Sequence, residues 1–568
     1  MKSVLLATLF LLLIQIQKST PSCRKRRLKP NIIVIIGDDV GHNDFSLHGS
    51  NQIPTPNIDA LGYNGIVLDR YYVQNSCTPS RAAFLTGNYP IRSGLQGVPI
   101  VAGTNRSLPV DMPIMPQFLK KLGYKTHIVG KWHLGSNYRS RTPTERGFDT
   151  HFGYWNGFLG YFDYFTDFNN TKVEGFDLHD GFETVWRDMG QYATNLFTRK
   201  ALEVIDNHDT RNPLFLMVTH LAAHAGRDGV ELGVPNRTLT DLKYSYIQNP
   251  RRRLFADVVN LLDDSVGQIV QRLLHRNMLE NSIVLFFSDN GAPTVGPYAN
   301  SGSNWPLRGI KLTNFEGAIR GTGVIFSPLL KKRRYVNSKF IHVSDWLPTL
   351  YAAAGGNVRD LGHIDGVNQW NTLSQDAPSP RSEILVNIDE VENTTSIITH
   401  NGRYKVLTGA FLNGTKDSYF GESGRGTEVP PYNITRVIHS DTNQAIQKIT
   451  NAPITEHQIV FTRAQVDLAW CRNANYTPFL NCSNACLFDL EKDPCETTNI
   501  IDEQPDLGRL LLRRIEEFSV FLVPQGNLTV DPDSNPQRFG NTWCTWLDDS
   551  WCVKTPNNTN LTPNNVNI

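Results

Sequence analysis

Several polar residues in this chain stand directly after apolar runs, and their types define a chemistry. Asp38 and Asp39 follow Asn31-Ile32-Ile33-Val34-Ile35-Ile36, and Asp289 and Asn290 follow the run from Ile283 to Phe287. Together they offer four hard oxygen donors, matched to Ca2+ or Mg2+ rather than to zinc, which prefers His and Cys. Taken singly, Asp-Asp and Asp-Asn-Gly also read as turns. Lys131 and His133 follow Thr126 to Val129; in extended backbone, residues two apart face one side, so both converge on one ligand while Trp132 packs behind. His224 follows the run from Leu214 to Thr219 after a short loop, and His220 competes for the same role. Lys311 closes Asn304-Trp305-Pro306-Leu307-Arg308-Gly309-Ile310-Lys311; a solvated surface lysine is the plain alternative for Lys131 and Lys311. Cys77 opens Cys77-Thr78-Pro79-Ser80-Arg81, and by type alone it is a buried thiol or half of a disulfide. Thr78 and Pro79 suit the N-cap and first turn of a helix through Ser80 to Thr86, ended by Gly87. Residue 77 then sits beside a helix N-terminus, which favours anions, with Arg81 about one turn on and facing the same pocket.

The elements that must position these groups are legible as well. The apolar, β-branched runs at 31–36, 126–129, 214–219, 283–287 and 323–326 read as strands buried on both faces. Between them, Leu254, Val258, Leu261, Leu262, Val266, Ile269, Val270 and Leu273 keep a 3.6-residue stripe. Alternating strands and helices predict an α/β domain around a largely parallel sheet, whose C-terminal strand edge is where ligands bind. Beyond a boundary near residue 375 the character changes. Ser382 to Val386, Ile397 to Leu407 around His400-Asn401-Gly402, and Cys486 to Leu490 read as short antiparallel strands, and Leu507 to Phe521 as a helix. The expected organisation is a signal peptide at 1–20, a catalytic domain at 29–375, a smaller disulfide-containing domain at 376–554 and a disordered tail at 555–568.

With 568 residues the chain buries a large core and divides into more than one domain. Lys and Arg number 55 against 54 Asp and Glu, so no overall field draws in nucleic acid or an anionic membrane, and selectivity for anions must be local. The N-terminus resembles a secretory signal peptide: Met1-Lys2-Ser3, then an apolar run from Val4 to Ile16 shorter than the roughly 20 residues a membrane span needs. Asn-x-Ser/Thr sequons at 105, 169, 236, 393, 413, 433, 475, 481, 527, 557 and 560 fit a glycoprotein. Cys471, Cys482, Cys486, Cys495, Cys544 and Cys552 read as a disulfide framework, with Cys486 to Cys495 favoured as a local bridge, while Cys23 and Cys77 stand apart.

Cys77-Thr78-Pro79-Ser80-Arg81 with Leu85-Thr86-Gly87, Gly130-Lys131-Trp132-His133-Leu134-Gly135, and the segments around Lys311 and Arg320 resemble the type I sulfatase family. The likeness is greatest to its arylsulfatase B-like group, through Pro54 to Leu61, Arg92 to Gln96 and Arg146 to Asp149. The resemblance implies an alkaline-phosphatase-like α/β fold with a smaller C-terminal domain that contains an antiparallel sheet. It implies that a formylglycine-generating enzyme oxidises Cys77 to formylglycine, and that Asp38, Asp39, Asp289 and Asn290, with residue 77, hold one divalent cation, usually calcium. Lys131 and Lys311 would bind sulfate oxygens, His133 would contact the formylglycine hydroxyl, and Arg81 and the cation would polarise it. His224 would protonate the departing alcohol, although Ala225-Gly226 departs from the family's usual context after this histidine. The substrates implied are sulfated sugars such as N-acetylgalactosamine 4-sulfate of glycosaminoglycans, or small esters such as a glucosinolate, met in the lysosome or outside the cell. Two other readings share the residues: a phosphoesterase of the same superfamily, and a secreted glycoprotein of this fold without catalysis. The aromatic stretch Phe152 to Phe168 reads either as the lining of a sugar or aryl pocket or as packing under a long loop.

Overall fold

The computed structural model describes residues 29–548 apart from 169, 170, 172, 228–231, 469, 470 and 472–479, so the signal peptide at 1–20 and the tail at 555–568 lie outside the described residues. Ten strands form the principal sheet: β1 Asn31–Gly37, β2 Ile66–Leu68, β3 Lys125–Lys131, β4 Thr150–Tyr154, β5 His179–Asp180, β6 Glu183–Thr184, β7 Leu214–Thr219, β8 Ser282–Ser288, β9 Gly323–Phe326 and β10 Tyr335–Asn337. Their spatial order is β10-β2-β9-β8-β1-β7-β3-β4-β5-β6. The central strands β8, β1, β7, β3 and β4 run parallel, whereas β9 pairs antiparallel with β8 and with β2. The all-apolar reading of β1 is borne out: Ile33 and Ile35 enter the core on one face, and Ile32, Val34 and Ile36 the core on the other.

Register decides where the chemistry can sit. Gly37 lies opposite Ser288, Ile36 opposite Thr219, and Thr219 opposite Gly130. Four parallel strands therefore end at one level, and the polar residues after them meet along one edge. Helix α1, Cys77–Thr86, starts earlier than expected, with Ser76 rather than Thr78 at the N-cap. The reason is local: the Thr78 hydroxyl accepts from the Ile100 amide at 3.1 Å and donates to the His133 carbonyl at 3.2 Å, so it serves the site wall rather than the helix end. Gly87 closes the helix in the left-handed region at φ 70°. The long stripe forms α2, Pro250–His275, which begins behind Asn249, whose side chain accepts from the Arg251 amide at 3.0 Å.

The later strands β11 Ile384–Asp389, β12 Thr394–Thr399, β13 Tyr404–Thr408 and β14 Cys486–Asp489 form a four-stranded antiparallel sheet. The turn between β12 and β13 uses positive φ at His400, Asn401 and Gly402. Helix α3, Pro505–Ser519, covers this sheet with Leu511, Ile515 and Phe518. Three helices from the same stretch of chain, Ile434–Ile438, Asp441–Thr450 and Glu456–Val466, instead return to the large sheet. They place Val437, Ile446, Ile459 and Val466 in its core. The expected Cys486 to Cys495 bridge does not form. Cys486 opens β14 and joins Cys482 four residues back, while Cys495 is carried away to Cys471 beside Leu307. Cys544 is disulfide-bonded as well, and Cys77 is a free buried thiol. Among the described residues no helix is long and apolar enough to cross a membrane.

A buried charge triplet latches the second sheet to the segment that carries Lys311. Lys405 on β13 pairs with Glu316 at 3.2 Å and Glu496 at 2.7 Å, all three side chains fully buried. Glu496 also accepts from the Glu316 amide at 2.7 Å. Burial, opposed by Lys405 and reinforced by Glu316, pushes the Glu496 carboxyl up to about 7. Between pH ~4.5 and ~7 the folded protein holds a proton there that the unfolded chain has released, so this group's contribution to stability falls as pH rises through that window. The stability of wild type relative to Glu496→Gln is expected to rise by roughly 2 to 3 kcal/mol from pH 7 to pH 5, measured by denaturant unfolding. A pH-independent difference contradicts the proton held on Glu496.

Candidate active site

The strand ends bring together all ten residues singled out in the sequence. Asp38 and Asp39 leave β1, Asp289 and Asn290 leave β8, Lys131 ends β3, and Cys77 and Arg81 occupy the first turn and a half of α1. Every one is at least nine-tenths buried, from 0 % exposure at the three aspartates to 7 % at Lys311. Lys131 donates to Asp38 at 2.6 Å, and Lys311 donates to both oxygens of Asp39 at 2.6 and 2.8 Å. Arg81 donates to Asp289 at 2.8 and 3.2 Å and stands 3.8 Å from Asp38. The motif around Cys77 thus divides its work: Ser80 anchors the helix to the Asp289 carbonyl, and Arg81 reaches the carboxylate of the same residue.

His224 is placed with the site and His220 is not. The His224 Nε2 lies 3.4 Å from Asp39, whereas His220 bonds to the Ser265 hydroxyl on α2 at 2.9 Å, inside the core. The turn before His224 is tied to the end of β1 in both directions: the Asp38 amide donates to the Ala222 carbonyl at 2.9 Å and the Ala223 amide to the Asp38 carbonyl at 2.7 Å. Tyr161 donates to the His224 carbonyl at 2.9 Å, and the ring of Phe158 stacks on its imidazole at 5.6 Å. Asn300, invisible in the sequence because it sits in a loop without a pattern, donates to the carbonyls of Asp39 and Ala223 at 2.8 and 2.9 Å.

Beyond Lys131 the strand alternation stops. His133 takes φ 59°, and its Nε2 meets the Ile100 carbonyl at 2.8 Å while its Nδ1 is buried without a partner. Gly157 lies against that ring so closely that a Cβ there would stand 2.8 Å from Nε2. Trp132 packs behind as expected, in the core. Of the aromatic stretch, Tyr154, Trp155, Tyr161, Tyr164 and Phe165 are core residues, so packing accounts for most of it; Phe158 is half-buried and faces His224.

The electrostatics separate the two adjacent aspartates. Burial raises Asp39, but Lys311, then His224 and Lys131, outweigh it and bring the carboxyl to about 2. Asp38 moves the other way, pushed up by burial and by the facing Asp289. Burial lowers His133 well below its ordinary value and His224 to about 3, and it raises the Cys77 thiol. A bound cation would reverse the pressure on Asp38, and the free valences for one are present. Asp38 Oδ1 and Asn290 Oδ1 are buried and accept no hydrogen bond. Donor atoms of Asp38, Cys77 and Asp289 lie within 4.8 Å of one another. These oxygens fit a hard divalent cation.

Comparison with known proteins gives the family. The Sulfatase family model matches residues 30–356. Mouse arylsulfatase J is 35% identical over 526 residues, spanning 91% of this chain and 80% of its own. Human N-acetylgalactosamine-6-sulfatase is 31% identical over 368 residues, 61% of this chain and 66% of its own. The solved structure of Ps i-CgsB in complex with k-i-k-neocarrahexaose superposes with a TM-score of 0.67 at 24% identity, covering 89% of this chain and 95% of the other, and shares the fold. The chain belongs to the sulfatase family, whose members hydrolyse sulfate esters.

Calcium added to chelator-stripped Cys77→Ala protein is expected to raise the thermal unfolding midpoint, since a ligand at 100 times its Kd contributes about 2.7 kcal/mol to the folded state. Asn290→Ala in the same background should remove most of that rise. A midpoint indifferent to both calcium and magnesium contradicts the cation assignment.

Proposed function

We propose that the protein cleaves the sulfate ester of a sugar or small alcohol through a formylglycine made from Cys77. The observation that carries this is the position of residue 77. It is a free buried thiol in the first turn of α1, with its sulfur beside Asp38 and Asp289 and under the fields of Lys131 and Lys311. Asp38, Asp39, Asp289 and Asn290 would hold the cation, Ca2+ by preference, which when bound supplies positive charge against the nucleophile and a sulfuryl oxygen. Oxidised by a formylglycine-generating enzyme and hydrated, residue 77 presents two hydroxyls on one carbon, one to attack sulfur and one to let the aldehyde re-form as sulfate leaves.

Placement supports the remaining roles. Lys131, Lys311 and Arg81 are fixed by Asp38, Asp39 and Asp289 close enough to residue 77 to act on its charge, so they would offset charge on sulfuryl oxygens without reorganising. His224, held by Tyr161, Phe158 and the Asp39 carboxylate, gives a proton to the departing alcohol. Burial, aided by Lys311 and Lys131 and opposed by Asp39, keeps it neutral, and an anionic ester beside it favours the imidazolium. His133, with Nδ1 unpartnered, takes the proton of the second hydroxyl.

The substrate reading is a sulfated N-acetylgalactosamine of a glycosaminoglycan or a small ester such as a glucosinolate. It is supported by the names of the arylsulfatase and N-acetylgalactosamine-6-sulfatase relatives and by segments resembling the arylsulfatase B-like group. The disulfides support passage through the secretory pathway to the lysosome or the outside, and the sequons support glycosylation there. The second sheet beyond residue 375 supports the division into a catalytic and a smaller domain.

Cys77→Ala protein should fold and release no sulfate above the blank from sulfated N-acetylgalactosamine oligosaccharides, glucosinolates or an aryl sulfate. Substantial release by that variant overturns the nucleophile assignment. His224→Ala should lose roughly 10^2- to 10^4-fold in kcat on sugar sulfates, whose alcohols need a proton to leave, and far less on a nitrophenyl sulfate. Equal losses on both contradict a general acid at 224.

A further inference from the structure

We propose that Lys416 forms a second anion subsite at the rim of the catalytic site, and that the substrate carries another negative group close to the sulfate that is cleaved. This rests on the sulfatase reading and narrows its substrate to esters with a second sulfate or a carboxylate.

Four lysines are buried among the described residues: Lys131, Lys311, Lys405 and Lys416. The first three each lie against carboxylates at 3.2 Å or less. Lys416 is 8 % exposed and makes no ion pair or hydrogen bond with any described residue; its ammonium lies over the face of Phe411, 5.4 Å from the ring centroid. The stem is packed into the protein while the ammonium is left without a counterion, and one aromatic face offsets little of its charge.

Its position is fixed by the loop on which it stands. The Gly309 amide donates to the Ser418 carbonyl at 2.8 Å, and Arg308 donates to the Asp417 carbonyl at 3.1 Å and the Tyr419 hydroxyl at 3.2 Å. Residues 416–419 therefore run beside the segment that leads into Lys311. The Lys416 side chain lies along Gly296, where a Cβ would stand 3.5 Å from Cε and 3.7 Å from Nζ. Both Lys311 and Asp39 act on its charge, the first lowering and the second raising its proton affinity, after burial has lowered it. Asp39 is already bound through both oxygens to Lys311. The positive charge of Lys416 is thus left over after every local pair is made, and it lies near enough to Lys311 and Asp39 to feel both. Arg81, Lys131 and Lys311 suffice for one sulfate, so an additional fixed cation matches an additional anionic group on the same molecule.

The test measures binding to calcium-loaded Cys77→Ala protein by titration calorimetry, with phenyl sulfate, benzene-1,2-diyl bis-sulfate and 2-carboxyphenyl sulfate as probes. At least one of the two doubly charged esters is expected to bind roughly tenfold tighter than phenyl sulfate, the worth of one charge-assisted hydrogen bond. Which of them does so separates a sulfate from a carboxylate subsite. Lys416→Gln should abolish the preference and Lys416→Arg should keep it. Absence of any preference, or a preference that survives Lys416→Gln, overturns the subsite. Sulfate release from phenyl sulfate by the unsubstituted protein is followed in parallel. Release without the preference leaves the sulfatase reading standing and removes the subsite, whereas the preference without release does the reverse.

Discussion

The structure depends on packing three aspartates against three basic side chains in a place closed to solvent. Asp38, Asp39 and Asp289 face Arg81, Lys131 and Lys311, and none of the six is more than 7 % exposed. Burying such groups costs several kcal/mol per ion unless each has a partner in good geometry. The formal charges cancel, so a divalent cation leaves the site positive and ready for an anionic ester. In a dry setting the same charges act on the reacting atoms with far greater force than they would in water.

That constraint explains why the site occupies the edge of a parallel sheet. Only there do strands distant in sequence end side by side, so that β1 delivers two carboxylates, β8 a third with an amide, and β3 a lysine. Aiming them requires backbone that regular strands do not supply. Asp39, His133 and Leu312, beside Lys311, all adopt positive φ, a cost of about 1 to 3 kcal/mol each that surrounding contacts must offset. Those contacts reach beyond the principal sheet. Arg308 donates to the Glu496 carbonyl at 2.9 Å, and Lys405 joins Glu496 to Glu316, so the second sheet holds the segment carrying Lys311 in place.

The strands that build the site were legible because burial on both faces demands uninterrupted β-branched and apolar runs, as in Ile32 to Ile36 and Leu214 to Thr219. The two-residue strands at 179–180 and 183–184 carry no such signal. Site residues were legible where spacing tied them to a strand end; the resemblance already chose His224 over His220, and Ser265 on a distant helix, which engages His220 in the core, carried no sequence signal. The Cys486 to Cys495 expectation failed because pairing follows the path of the chain in space rather than the length of the intervening loop. Segments such as Pro54 to Leu61, matched by resemblance, prove to be structural ties: Thr55 donates to Asp59 at 2.9 Å, and the Ile58 amide donates to Asp263 on α2 at 2.8 Å. Lys416 has no sequence signal, since its meaning comes from a missing partner.

The central claim is that residue 77 is converted from a thiol into the nucleophile this charged pocket was built around. The direct measurement is the mass of the peptide from Tyr71 to Arg81, isolated from protein made by cells that contain the formylglycine-generating enzyme. The account predicts the aldehyde mass, together with its adduct when a hydrazide probe is added. An unmodified cysteine in all of the protein would contradict it.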